Sequence, residues 1–285
     1  MEDLNMNNPS QDNSNITTAY GYNGEPGLSI KVVTYIIIGI GLPLTLVAIC
    51  ALYSLVRKDH VAPIYIINLL FSDLVQLCCI IVEVERPKNF TIYIVFFHTY
   101  IYCLFASIGF MVCIALERYL VIACPLWYHF KRTIKISVLV CVAVWVYPVI
   151  CLLIFLFWHY KVAEIVSIFF LLLPLPLLTF FLGGTLRALS ASISVPSDEK
   201  RRIVGMLVLV LLIYTLLFLP TVILYLAKGL SIYDTLNSLF PVFLRLSPLA
   251  DLVLYIFMKK GAIDKLLASV CCCRMDSNET SSSAV

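Results

Sequence analysis

Charged side chains are scarce in this 285-residue chain, so the ones set inside apolar stretches stand out: Asp73, Glu83, the adjacent Glu117 and Arg118, Arg245, and Asp251. A charge at membrane depth is costly, and it is tolerated where it finds a partner or lines a functional path. Glu83 lies about 15 Å outward of Asp73, and Arg245 about 9 Å outward of Asp251, at ~1.5 Å rise per residue. Two readings stay open for them: an intramembrane ion pair, or an Arg245 that receives an anionic ligand. His98 and His159 on the expected outer side leave a proton-sensing role open, although exposed histidines are more often bystanders. No His-Glu-x-x-His, Gly-x-Ser-x-Gly or paired His-acid motif is present, which argues against an intramembrane enzyme.

These residues need elements to hold them, and composition says which. Hydrophobic residues make up 61% of the chain and charged ones 13%, against ~45–50% and ~25% in soluble domains. Mean hydropathy is +0.98. Lipid must therefore be the solvent for most side chains, which excludes an ordinary cytosolic enzyme. Apolar stretches run over roughly 32–56, 62–84, 92–123, 134–158, 163–188, 203–228 and 232–258. Each is long enough to cross the hydrocarbon as a helix, and open strands cannot cross it. The expected fold is all-α, a seven-transmembrane helix bundle followed by a short amphipathic eighth helix over 259–270.

Orientation follows from Lys and Arg in the short loops. One side holds 14 of the 20, including Arg57, Arg118, Lys131, Arg132, Arg187 and Lys200–Arg202. That side is expected to be cytoplasmic, which leaves an extracellular N-terminal tail (1–31), the spanning domain (32–258) and a cytoplasmic tail (271–285). The polar first thirty residues carry no cleavable signal, so the first span is expected to direct insertion. Acceptor patterns at Asn15 and Asn89 then fall outside, where N-glycosylation occurs, whereas Asn278 falls inside. Dispersal of the basic residues among membrane loops leaves no nucleic-acid surface.

No cysteine is placed to staple two outer loops, so no disulfide is expected. Cys271, Cys272 and Cys273 close the amphipathic stretch and suit S-palmitoylation, which would pin it to the inner leaflet; unmodified thiols are the other reading. Hydroxyls between Ser277 and Ser283 offer phosphorylation sites for an arrestin-like partner. The terminal Ser283-Ala284-Val285 fits a PDZ protein. A multi-span transporter of small solutes is the alternative class, but no internal repeat of the kind it requires is evident.

The stretch Leu116-Glu117-Arg118-Tyr119 resembles the Asp-Arg-Tyr signature of rhodopsin-like (class A) G-protein-coupled receptors. The resemblance extends over about 33–270. It takes in Asn68 to Leu74 around Asp73, Trp145, Phe218-Leu219-Pro220 and Asp251-Leu252-Val253-Leu254-Tyr255. Within the family the chain looks most like the branch of proton-sensing, lipid, purine-nucleotide and protease-activated receptors. The resemblance implies a heterotrimeric G protein as partner. Arg118, held by Glu117 at rest, would be released when the sixth helix swings outward about the Pro220 kink. Phe218 would serve as an aromatic toggle, with Leu126, Lys131 and Arg132 in the coupling loop and Tyr255 turning inward. Asp73, Ser107, Ser247 and Asp251 would cage an allosteric sodium ion, or share a proton, because two mid-membrane carboxylates repel one another otherwise. No other cofactor is implied.

The chain also departs from the pattern. Thr45, Leu182 and Leu252 replace the usual Asn, Tyr and Pro, with Pro248 one turn earlier expected to carry the kink. Lys200 replaces an acid that would clasp Arg118. Tyr93 stands in place of the disulfide cysteine, and the second outer loop is expected to shrink to about His159–Val162.

Overall fold

The computed structural model describes residues 28–56, 64–85, 87–124, 128, 134–157, 160–191, 197–226 and 242–258. Among these the only regular element is the α-helix, as lipid requires of a chain that must pair every backbone N–H and C=O internally. In order they are α1 (Leu28–Val56), α2 (Ile64–Glu85), α3 (Phe90–Ala123), α4 (Ile134–Phe157), α5 (Tyr160–Leu172), α6 (Pro174–Ala191), α7 (Ser197–Leu226) and α8 (Ser247–Met258). A helical turn at 242–245 precedes α8. Six segments among the described residues are long and apolar enough to cross a membrane, one of them Ile168–Ser190 across the α5–α6 junction. The seventh apolar stretch is described only from residue 242, and the expected amphipathic helix at 259–270 lies outside the described residues.

Helix ends differ from the hydropathy limits. α1 starts at Leu28 and α7 at Ser197, several residues before their apolar stretches. A formed helix gains a hydrogen bond with each residue added, so it runs on past the last apolar side chain. The same effect corrects the loop expected at His159–Val162: α5 begins at Tyr160, which leaves only 158–159 between α4 and α5. The fifth span is broken as well. Pro174 and Pro176 cannot donate to the carbonyls four residues back, and the chain makes a turn at Leu173, whose N–H bonds Phe169 at 2.9 Å.

α3 is the central element, with 56% of its span buried within the protein against 11% for α4. It packs on α2, α4, α6 and α7, while α8 closes the bundle against α1, α2 and α7. Its inward stripe includes Cys103, Ser107, Phe110, Met111 and Ile114, a helical spacing of three and four. The outward faces are apolar too: Leu139, Val142, Val146 and Ile150 of α4 are exposed, as lipid-facing residues should be. Where helices meet most closely, glycine is required. A Cβ on Gly109 would come within 2.7 Å of Val144, and one on Gly184 within 2.6 Å of the Tyr119 ring.

Candidate functional site

Polar residues are layered along the bundle, and the layer at the end of α3 comes first. Arg118 Nη2 lies 3.7 Å from Glu117 Oε2, and the Tyr128 hydroxyl donates to Glu117 Oε1 at 2.8 Å. Glu117 is buried, so its carboxylate is shared between a cation and a phenol. Tyr119 faces α6, where its ring stacks on Phe181 at 5.7 Å over the bare Gly184. Lys200 donates to the Leu189 carbonyl at 3.1 Å, near the end of α6. Late carbonyls of a helix lack intrahelical donors, and this bond gives the ammonium a role of its own. Leu126, Lys131 and Arg132 lie outside the described residues.

The middle layer is fully buried: Thr45 on α1, Asp73 and Gln76 on α2, Ser107 on α3, and Ser247 and Asp251 on α8. Gln76 donates to Asp73 Oδ1 at 3.3 Å. Ser107 donates to the Leu104 carbonyl of its own helix at 2.9 Å and keeps its lone pairs. The two carboxyl groups face one another within reach of a shared proton. Asp73 Oδ2, both Asp251 carboxylate oxygens, Ser247 Oγ and Thr45 Oγ1 make no hydrogen bond. Buried polar atoms are nearly always satisfied, and a shared proton or a cation would satisfy this set of oxygens. Carboxylate and hydroxyl oxygens are the ligands a hard cation prefers, and the residues present fit the expected sodium ion.

Toward the other end of the bundle, Arg245 Nη2 lies 2.8 Å from Glu83 Oε1, and Nη1 donates to Thr34 Oγ1 at 3.1 Å. Of the two readings of Arg245, the structure displays the ion pair. The Tyr100 hydroxyl is buried beside them without a hydrogen bond, in the electrostatic field of both Glu83 and Arg245. Nearby, Tyr35 donates to Glu85 at 3.0 Å, a second link between α1 and α2. The His98 ring is tied through Nδ1 to the Ile94 carbonyl one turn back, at 2.8 Å. Tyr93, in the place of a cysteine, is buried and stacks on Phe97.

Between these layers lie the aromatic residues expected to report helix movement. Phe218 is fully buried and stacks on Tyr214 at 5.0 Å; the Tyr214 hydroxyl donates to the Leu171 carbonyl at the break in the fifth span. Pro220 lies inside α7. Trp145 donates to Asn68 Oδ1 at 3.0 Å, and Tyr102 donates to the Trp145 carbonyl at 2.6 Å, which joins α2, α3 and α4. Tyr255 packs half-buried against the core.

Known proteins share part of this arrangement. Residues 44–164 match the family model for the 7 transmembrane receptor (rhodopsin family). The chain is similar to human G-protein coupled receptor 68, 24% identical over 262 residues, covering 79% of this chain and 69% of that protein. It is also similar to rat Proteinase-activated receptor 2, 31% identical over 126 residues that cover 41% of this chain and 31% of the other. A match to mouse Mas-related G-protein coupled receptor member A7 is 30% identical over 99 residues, 32% of each chain. Over these residues the chain is similar to the rhodopsin-like receptors. Its helices are long and apolar enough for a multi-pass membrane protein, and the family it resembles consists of receptors, not enzymes.

Several residues that shape this receptor's site escaped the sequence reading. Tyr128 was visible only as part of a loop, yet it holds Glu117. Thr34 and Tyr100 are hydroxyl-bearing side chains within apolar spans, and that burial was the available signal. The break in the last span was anticipated at Pro248, and the chain turns at Leu246, whose N–H bonds Phe243 at 3.1 Å and whose carbonyl accepts from Leu249 at 3.1 Å. Arg245 therefore lies on one side of the break and Asp251 on the other.

Proposed function

We propose that this receptor carries a stimulus from the extracellular side to a heterotrimeric G protein, with Asp73 and Asp251 as a cation- or proton-dependent brake. In this reading the N-terminus is extracellular and the Arg118 end is cytoplasmic. The observation that carries it is the middle layer: two facing, fully buried carboxyl groups with unbonded oxygens beside Ser247. Two negative charges in a low-dielectric interior repel strongly, and a sodium ion or one shared proton relieves the repulsion. A cation that fits the resting arrangement better than the active one shifts the population by that difference in affinity and no more.

Outward movement of α7 about Pro220 completes the reading. The missing N–H of Pro220 weakens the helix there, Phe218 and Tyr214 precede it by two and six residues on the same helix, and Arg118 is released from Glu117 to meet the G protein. Stimuli in keeping with the branch the sequence resembles are a small ligand, a lipid or protons. Glycans at Asn15 and Asn89, palmitate on Cys271, Cys272 and Cys273, an arrestin-like partner and a PDZ protein belong to the same proposal. Asn89 is exposed and spends Oδ1 on capping α3, which leaves its amide nitrogen for a glycan.

The test is basal nucleotide exchange in membranes containing the full chain, with sodium raised at constant ionic strength. Exchange is expected to fall with sodium, acidification to substitute for it, and Asp73→Asn to abolish both responses. Exchange indifferent to sodium and to pH would leave the carboxyl pair a structural contact.

A further inference from the structure

The Glu83–Arg245 pair joins two spans by charge-assisted contact at 2.8 Å, and the brake just described makes no use of it. Arg245 belongs to the helical turn that precedes the break at Leu246, whereas Ser247 and Asp251 follow it. A break that lacks the Pro248 N–H lets the two pieces turn against each other. Arg245 fastens the first piece to α2 through Glu83 at 2.8 Å and to α1 through Thr34 at 3.1 Å. Arg245 is 7% exposed, which leaves it little access to water as an alternative partner.

The carboxylate, in contrast, has one waiting. Tyr100 lies on α3, which packs along α2 near Glu83, and its buried hydroxyl makes no hydrogen bond. Separating a buried ion pair is strongly unfavourable when it strands a charge, and a phenol that can donate to the stranded carboxylate lowers that cost. The packed α2–α3 seam continues toward the middle layer through the buried Cys79 and Cys103. The same structure has Arg118 engaged with Glu117, so the closed pair accompanies the resting cytoplasmic end.

We infer that Glu83 is a two-position switch, bonded to Arg245 at rest and to Tyr100 on activation, and that its transfer frees the first piece of the last span. The inference rests on the receptor reading above for its signalling consequence and on geometry alone for the switch. Loss of Glu83's charge opens the clamp, and loss of the Tyr100 hydroxyl removes the destination. The two changes must therefore act in opposite directions, which a merely structural ion pair does not require.

The experiment uses membranes containing the full chain and takes two readouts, basal nucleotide exchange per receptor and the alkylation rate of Cys79, located by peptide mass mapping. Cys79 is 2% exposed and one turn from Glu83, so its reactivity reports opening of the clamp without any G protein. Glu83→Gln is expected to raise both readouts several-fold, and the exchange of charges (Glu83→Arg with Arg245→Glu) to return them toward the original. Tyr100→Phe, which keeps the ring and its packing, is expected to lower both. Tyr100→Phe without effect on Cys79, or with effects of the same sign as Glu83→Gln, overturns the switch; if Glu83→Gln does not fold, Tyr100→Phe alone decides. Cys79 responding as expected while exchange stays flat would sustain the switch and defeat the G-protein reading.

Discussion

Arg245 shows how burial turns a single residue into a constraint on its surroundings. A guanidinium at 7% exposure must be paired, and removing one member of a buried pair costs about 3–5 kcal/mol because the other charge is stranded. Glu83→Gln and Arg245→Gln are each expected to lower the unfolding midpoint of the detergent-solubilised receptor. The double variant should fall less than the sum, with a coupling of ~0.5–3 kcal/mol; strict additivity would contradict the contact. Arg118 is a different case, because Glu117 keeps the Tyr128 hydroxyl when the guanidinium is lost. Arg118→Ala is expected to reach the cell surface in normal amount and to lose nucleotide exchange, whereas undiminished exchange would remove Arg118 from the coupling role. The charged residues of the site were legible in the sequence, since an apolar stretch makes an acid or a base conspicuous. Their neutral partners were not: Thr34, Tyr100 and Tyr128 are ordinary residue types whose importance comes only from what the folded chain places beside them.

Helices meet here at distances set by what is absent from their surfaces. Gly183 and Gly184 are neighbours on α6, and a Cβ at Gly183 meets nothing within 4 Å whereas one at Gly184 meets Tyr119 at 2.6 Å. The Tyr119 ring cannot yield easily, since Phe180 and Phe181 hold it at 5.8 and 5.7 Å. Alanine in place of glycine favours a helix by up to about 1 kcal/mol, while overpacking costs about 1–3 kcal/mol. Gly183→Ala is therefore expected to be neutral or stabilising and Gly184→Ala destabilising, measured as unfolding midpoints side by side. Equal midpoints would mean that α3 and α6 approach less closely than described. The existence of the spans was plain from hydropathy, because length and apolarity suffice for that. Their breaks were partly plain: Pro248 announced a kink in the last span, but only tertiary packing placed the turn at Leu246. The start of α5 at Tyr160 could not be read from hydropathy, which marks where lipid ends and not where a helix does.

At the scale of the molecule, the bundle has two chemically different ends, and the proposed orientation rests on them. Arg118, Lys135, Arg187, Lys200, Arg201 and Arg202 are associated with helix ends on one side. On the other, Arg245 is neutralised by Glu83, so it contributes no net positive charge there. Excess Lys and Arg in short loops is retained on the cytoplasmic side during insertion, which in the proposed reading places the Arg118 end inside. An epitope fused at Met1 is accordingly expected to bind antibody on intact cells, and one fused after Val285 only after permeabilisation. This orientation puts Glu117, Arg118 and Tyr119 where a G protein can reach them, and the Glu83–Arg245 clamp where an extracellular stimulus can. The reverse pattern of labelling would place Arg118 outside the cell, and the coupling reading together with the order of events from clamp to brake to α7 would have to be abandoned.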